Sequence, residues 1–121
     1  MDYNRVLKDL NGLSEEDFLN KLEARFTIEK KDKAVKPAAL HEFGLYMNRQ
    51  WYKLVSKAGT YTEDPIGVLD ITILQENVLD PVLGIKDQRT DKRIDFVGGI
   101  RGLEELERRV NSGEMTLAIR L

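Results

Sequence analysis

Apolar and polar positions alternate along this chain with two periods, and the switches between them mark its elements. Val6, Leu7 and Leu10 within Arg5 to Leu10 predict a short opening strand, closed by the turn pair Asn11-Gly12. Ser14, followed by Glu15, Glu16 and Asp17, predicts a helix start. A hydroxyl there accepts from an unpaired first-turn N–H, and the helix dipole favours the acids. Phe18, Leu19, Leu22 and Phe26 share one helical stripe and carry this helix to about Phe26. Thr27 to Lys30 reads as a strand, and Lys30 to Lys36 as a solvated lysine-rich loop ahead of Pro37.

His41 to Lys57 is predicted as a β-hairpin, with Asn48-Arg49 as its two-residue turn, because Asn tolerates the positive φ such turns need. That register sets Leu45 against Tyr52 and Phe43 against Leu54 on one face, and Tyr46 against Trp51 beside Gly44 and Lys53 on the other. Both faces carry apolar surface, so the second is expected to pack on something too. After a loop at Gly59 to Pro65, Ile71, Leu74, Val78 and Val82 predict a helix capped by Asp70, interrupted at Pro81 and ended by Gly84. A strand over Val68 to Leu74 is the competing assignment. Arg93 to Val97 alternates as a strand, and Gly98 to Gly102 turns it into a helix with Leu103, Leu106 and Val110 inward. Met115 to Leu121 alternates as a last strand. The expectation is a single α+β domain over residues 1–121. Its sheet is mixed but mainly antiparallel, with a β-hairpin and two to three helices packed on one face.

Composition narrows what such a domain does. At 121 residues the chain can bury a core without staples, and a net charge of −2 supplies no bulk field for nucleic acid or an anionic membrane. Nucleic acid and membrane are therefore not expected partners. The absence of cysteine removes disulfides and thiolate chemistry, and fits a reducing compartment. The polar start Met1-Asp2-Tyr3-Asn4 and the lack of a span-length apolar run make cytoplasm the expected location. The one histidine, His41, reads as a strand-start or core residue, so no metal is expected and no cofactor is assigned.

The chemically suggestive feature is the turn Gly98-Gly99-Ile100-Arg101-Gly102. Glycines let backbone N–H groups approach a ligand, a helix start attracts anions, and a guanidinium forks onto phosphate or carboxylate. Arg89, Arg93, Gly98, Gly99 and Arg101 form the candidate site for a small anionic metabolite, with Lys86 and Lys92 near in sequence. The same glycines equally suit a tight connection, with the arginines paired to Asp87, Asp91 and Asp95. Tyr46 and Trp51 carry a different reading: a non-catalytic structural or assembly module, with a homo-oligomer formed through their face.

The hairpin stretches HEFGLYM (His41 to Met47) and WYKL (Trp51 to Leu54) resemble a block of the bacterial and archaeal domain-of-unknown-function family 1015. The resemblance continues through Leu69 to Gln75, Pro81 to Ile85 and Thr90 to Gly99, and Tyr3 to Val6 is similar to the family's opening. It implies a longer parent, of which this chain is a fragment from the C-terminal half, with the missing N- and C-terminal parts as its partners. It further implies an upstream histidine-bearing segment similar to one in ParB-like proteins, which keeps a nucleic-acid role as a third reading. Serine-phosphate chemistry is implied by the family's genomic neighbours alone. On this view the chain by itself is inactive and contributes the anion- or metabolite-binding part of a larger enzyme.

Overall fold

Six stretches pair into one antiparallel sheet in a computed structural model that describes residues 3–98 and 102–121. They are β1 (Asn4–Leu7), β2 (Phe26–Lys31), β3 (Glu42–Met47), β4 (Gln50–Ser56), β5 (Ile94–Val97) and β6 (Leu117–Arg120). Their spatial order is β2-β4-β3-β6-β1-β5. The helices are α1 (Glu15–Leu22), α2 (Asp70–Leu74), which runs into a π-helical turn at Gln75–Leu79, and α3 (Gly102–Asn111). The architecture is the α+β class expected from the sequence.

The hairpin forms as its turn dictates. Asn48 and Arg49 both take positive φ, 51° and 60°, the pair of left-handed residues whose twist matches two antiparallel strands. The resulting register sets Phe43 opposite Leu54, Leu45 opposite Tyr52 and Tyr46 opposite Trp51. The last strand, β6, then inserts between β3 and β1 and becomes central. Leu117 and Ile119 point to one face and Ala118 to the other, all fully buried.

Helices cover both faces, where the sequence predicted one. On the first face Phe18 and Leu22 of α1, with Ile73 and Leu74 of α2, close over Phe43, Leu45 and Leu54. Complete burial of each large side chain there is worth about 1.5–3 kcal/mol. On the second face Leu106 and Val110 of α3 close over Val6, Tyr46 and Trp51, and Val35 packs beside them. The two-faced hairpin demanded this second layer, and α3 of the same chain supplies it. Tyr46 donates from its hydroxyl to Asn111 Oδ1 at 2.7 Å, and Trp51 Nε1 donates to Glu107 Oε2 at 2.8 Å. The rings on which the self-association reading rested are thus inside the fold.

The opening strand, expected to reach Leu10, ends at Leu7, and the last strand, expected over Met115 to Leu121, is confined to Leu117–Arg120. The helix expected to reach Phe26 stops at Leu22, because Arg25 N–H turns back to Leu22 O and Lys57 N–H draws Arg25 O onto β4. Phe26 is instead the buried first residue of β2. In the second helix Ile71 is exposed while Ile73 is buried. The widened turn, closed by Asp80 N–H on Gln75 O, rotates the inward face away from a uniform 3.6-residue stripe. Asp70 does not cap it through its side chain: Leu69 holds the cap position, and the Asp70 carboxylate accepts from His41 N–H at 2.9 Å. Among the described residues no helix is long and apolar enough to cross a membrane.

Candidate functional site

Arg93, expected to hold an anion, is used up inside the chain. A guanidinium has five N–H donors, and all five find protein acceptors. Nε and Nη2 fork onto the Asp91 carboxylate at 3.1 and 2.9 Å. Nη1 reaches Leu83 O at 2.9 Å and Asn11 Oδ1 at 3.4 Å, and Nη2 also reaches Gly84 O at 3.1 Å. Leu83 and Gly84 end the helical segment that begins at α2, and Gly84 takes φ 71° to break it. Arg93 therefore serves as a cation on helix-terminal carbonyls, clamping that end to the start of β5. Its hydrogen bonds, from side chain and backbone, hold Asp91 below the usual carboxylate range.

The other expected site residues are dispersed. Arg89 is exposed, with Nε 3.6 Å from Asp87. Gly98 lies past the opposite end of β5 from Arg93, roughly 16 Å away along extended chain. Gly99 and Arg101 lie outside the described residues. The recurring acids are ion-paired: Asp87 with Arg89, Asp91 with Arg93, and Asp95 with Arg109 Nη1 of α3 at 2.9 Å.

A basic groove does form, elsewhere. The segment after β2 folds back over the Trp51 face of the sheet. Gly44 permits this: a Cβ there would stand 3.1 Å from both Val35 Cβ and Trp51 Cζ3. Arg120 Nη1 donates to Val35 O at 3.2 Å and pins the segment. Between it and the sheet opens a groove of ≈ 430 Å³, with Lys31, Lys33, Lys36 and Lys53 around it, Asp32 and Glu42 among them, and Ala34, Val35 and Ala38 as apolar wall. Lys31 pairs with Glu29 at 2.9 Å and Lys53 with Glu42 at 3.7 Å. Among the described residues no acid stands within ion-pair distance of Lys33 or Lys36. The sequence showed these lysines as a solvated loop. Only the β2–β4 pairing, Lys31 opposite Trp51 and Glu29 opposite Lys53, brings Lys53 to them.

His41 is the strand-start residue it was expected to be, but a strained one. It takes φ 70°, which a non-glycine residue adopts only when its surroundings hold it. The Asp70 carboxylate on its N–H does so, together with Nε2 donating to Val68 O at 3.0 Å and the ring packed on Tyr61 at 4.3 Å between centroids. This junction ties the loop before α2 to the hairpin.

The family model described as Protein of unknown function (DUF1015) matches residues 1–72. The match takes in the opening Tyr3 to Val6 and the whole hairpin, whereas Pro81 to Ile85 and Thr90 to Gly99 lie beyond it. No curated protein and no solved structure matches the chain significantly.

Proposed function

The chain belongs to the family described as Protein of unknown function (DUF1015), and from that premise we propose that it serves as the binding part of a larger enzyme, holding a small phosphorylated or carboxylated metabolite. The observation that carries this reading is the lysine groove. Lys33 and Lys36 bring two ammonium groups, with no acid at ion-pair distance among the described residues, to a concave wall, and Ala34, Val35 and Ala38 offer an apolar strip for the remainder of a ligand. Ammonium groups act there as point charges on a dianion, without the planar fork an arginine would add. The glycine-rich stretch with Gly98, Gly99 and Arg101 is the second place this anion could sit; Arg89 drops out because it lies beyond the other end of β5, and Arg93 because its donors are occupied.

Titration of the isotopically labelled chain with phosphate, phosphoserine and serine tests the reading. Phosphate and phosphoserine are expected to shift the amides of Lys33 to Lys36 and of Lys53, serine to shift none, and added salt to weaken the effect. The double variant Lys33→Ala, Lys36→Ala is expected to lose the response. Shifts confined to Gly98 and the residues up to Gly102 would move the site there. No shift at either place would end the anion reading.

A further inference from the structure

We propose that the outer edge of β2 is a docking strand for an extended acidic segment of a partner protein, added as a seventh strand of the sheet. β2 pairs on one side only, with β4. Lys57 N–H bonds to Arg25 O at 2.9 Å, which makes Arg25 and Lys57 a hydrogen-bonded pair. The alternation of an antiparallel ladder then turns the backbone groups of Thr27, Glu29 and Lys31 towards β4. Those of Phe26, Ile28 and Lys30 face outward. Among the described residues nothing bonds to these outward groups. They are a ready template for another chain.

Charge chooses the occupant. Arg25 to Lys31 carries three basic side chains and one acidic one, Glu29, which pairs with Lys31 at 2.9 Å, in a protein whose net charge is −2. A second copy fits poorly. An in-register parallel copy would set Lys30 and Lys31 beside themselves, and an antiparallel one centred on Ile28 would bring Lys31 against Arg25, and like charges across a strand pair are destabilising. The lysines that guard this edge against self-pairing are the ones that would attract acids. The opposite edge, β5, is shorter, its Asp95 is held by Arg109, and Arg5 covers Phe96 with 5.1 Å from guanidinium carbon to ring centroid. Within β5 itself, Ile94–Val97, an acidic strand would find no basic row.

The proposal does not depend on the groove, and its test separates the two. The probe is a short end-blocked peptide alternating valine and glutamate, with a valine–lysine peptide as control. Binding of the acidic peptide is expected to slow hydrogen exchange at the Ile28 and Lys30 amides and to weaken with salt. Lys30→Pro removes an outward N–H at an edge position that tolerates proline, while Lys30→Gln removes the charge alone. The proline variant is expected to bind about fivefold more weakly than the glutamine one, the worth of a single ladder hydrogen bond. Equal binding of the lysine peptide, no protection at Ile28 and Lys30, or equal affinities of the two variants would overturn the proposal. Should Lys30→Pro unfold, the exchange pattern and the lysine control decide alone. Phosphate shifts in the groove are expected to survive in Lys30→Gln, so loss of one result leaves the other standing.

Discussion

Two basic regions of this protein, the Arg93 clamp and the lysine groove, have similar local sequences and opposite fates. Lys86 to Arg93 and Lys30 to Lys36 are both short, lysine- or arginine-rich stretches interrupted by aspartates. At Arg93 the aspartate two residues earlier accepts the guanidinium, and two helix-terminal carbonyls and the Asn11 side chain take the remaining donors. At Lys33 and Lys36 the chain is looping back over a glycine, no acid comes within reach among the described residues, and the charges stay uncompensated. What separates a structural cation from one available to a ligand is the supply of acceptors around it. That supply is set by the path of the backbone more than by the density of charge.

The strongest way to break the comparison is to remove the clamp. Arg93→Ala strips hydrogen bonds from Leu83 O, Gly84 O and the Asp91 carboxylate at once. A loss of about 2–3 kcal/mol is expected in urea unfolding, since a bond to a charged group contributes about 1.5–3 kcal/mol and water can replace part of this half-buried network. Arg93→Lys keeps the charge but not the fork, and is expected to recover less than half of that loss. Phosphate binding should be unchanged in a variant that still folds. If Arg93→Lys keeps full stability but loses phosphate, the guanidinium is the ligand-binding group and the comparison inverts.

How far the sequence foretold these arrangements depends on the range of the contact. The hairpin register was readable because a two-residue turn and strict alternation specify it within a few residues. The first-turn cap was readable too, and Ser14 Oγ does accept from Asp17 N–H at 3.1 Å. Nothing local announces that β6 will lie between β3 and β1, or that β2 will pair with β4. The groove needs that second pairing, so its lysines read as solvent-facing loop. The clamp was hidden for another reason: half of its acceptors are backbone carbonyls, which every residue carries. The turn at Gly98 to Gly102 was the conspicuous motif, yet the arginine expected to serve it sits at the other end of β5.

A smaller effect comes from acid. Hydrogen bonds from Arg93 hold the Asp91 pKa below its ordinary value, so the pair stabilises the fold at any pH above that value. The contribution fades as pH falls through the lowered folded-state pKa, where Asp91 takes up a proton. Between about pH 6 and about pH 3 the unfolding free energy of the natural protein should therefore drop more than that of Asp91→Asn, by under ~1 kcal/mol as befits a partly exposed pair. Equal drops would mean that Arg93 is held by the carbonyls alone.

The smallest effect is also the sharpest discriminator. Lys33→Ala with Lys36→Ala removes two charges that no acid in the described residues compensates. If these lysines have no part in the fold, unfolding free energy should change by no more than ~0.5 kcal/mol. The sign is informative as well. Taking positive charge away from the neighbourhood of Lys31 and Lys53 relieves repulsion, so a slight gain is expected at low salt, vanishing as ionic strength rises and the screening length shortens. A loss above ~1 kcal/mol would show that Lys33 or Lys36 carries a structural contact like that of Arg93, and the distinction between occupied and available cations would fail at the place where it matters for function. A small gain with a lost phosphate response would leave charge held against the fold's own interest, which is the energetic mark of a site kept for a ligand.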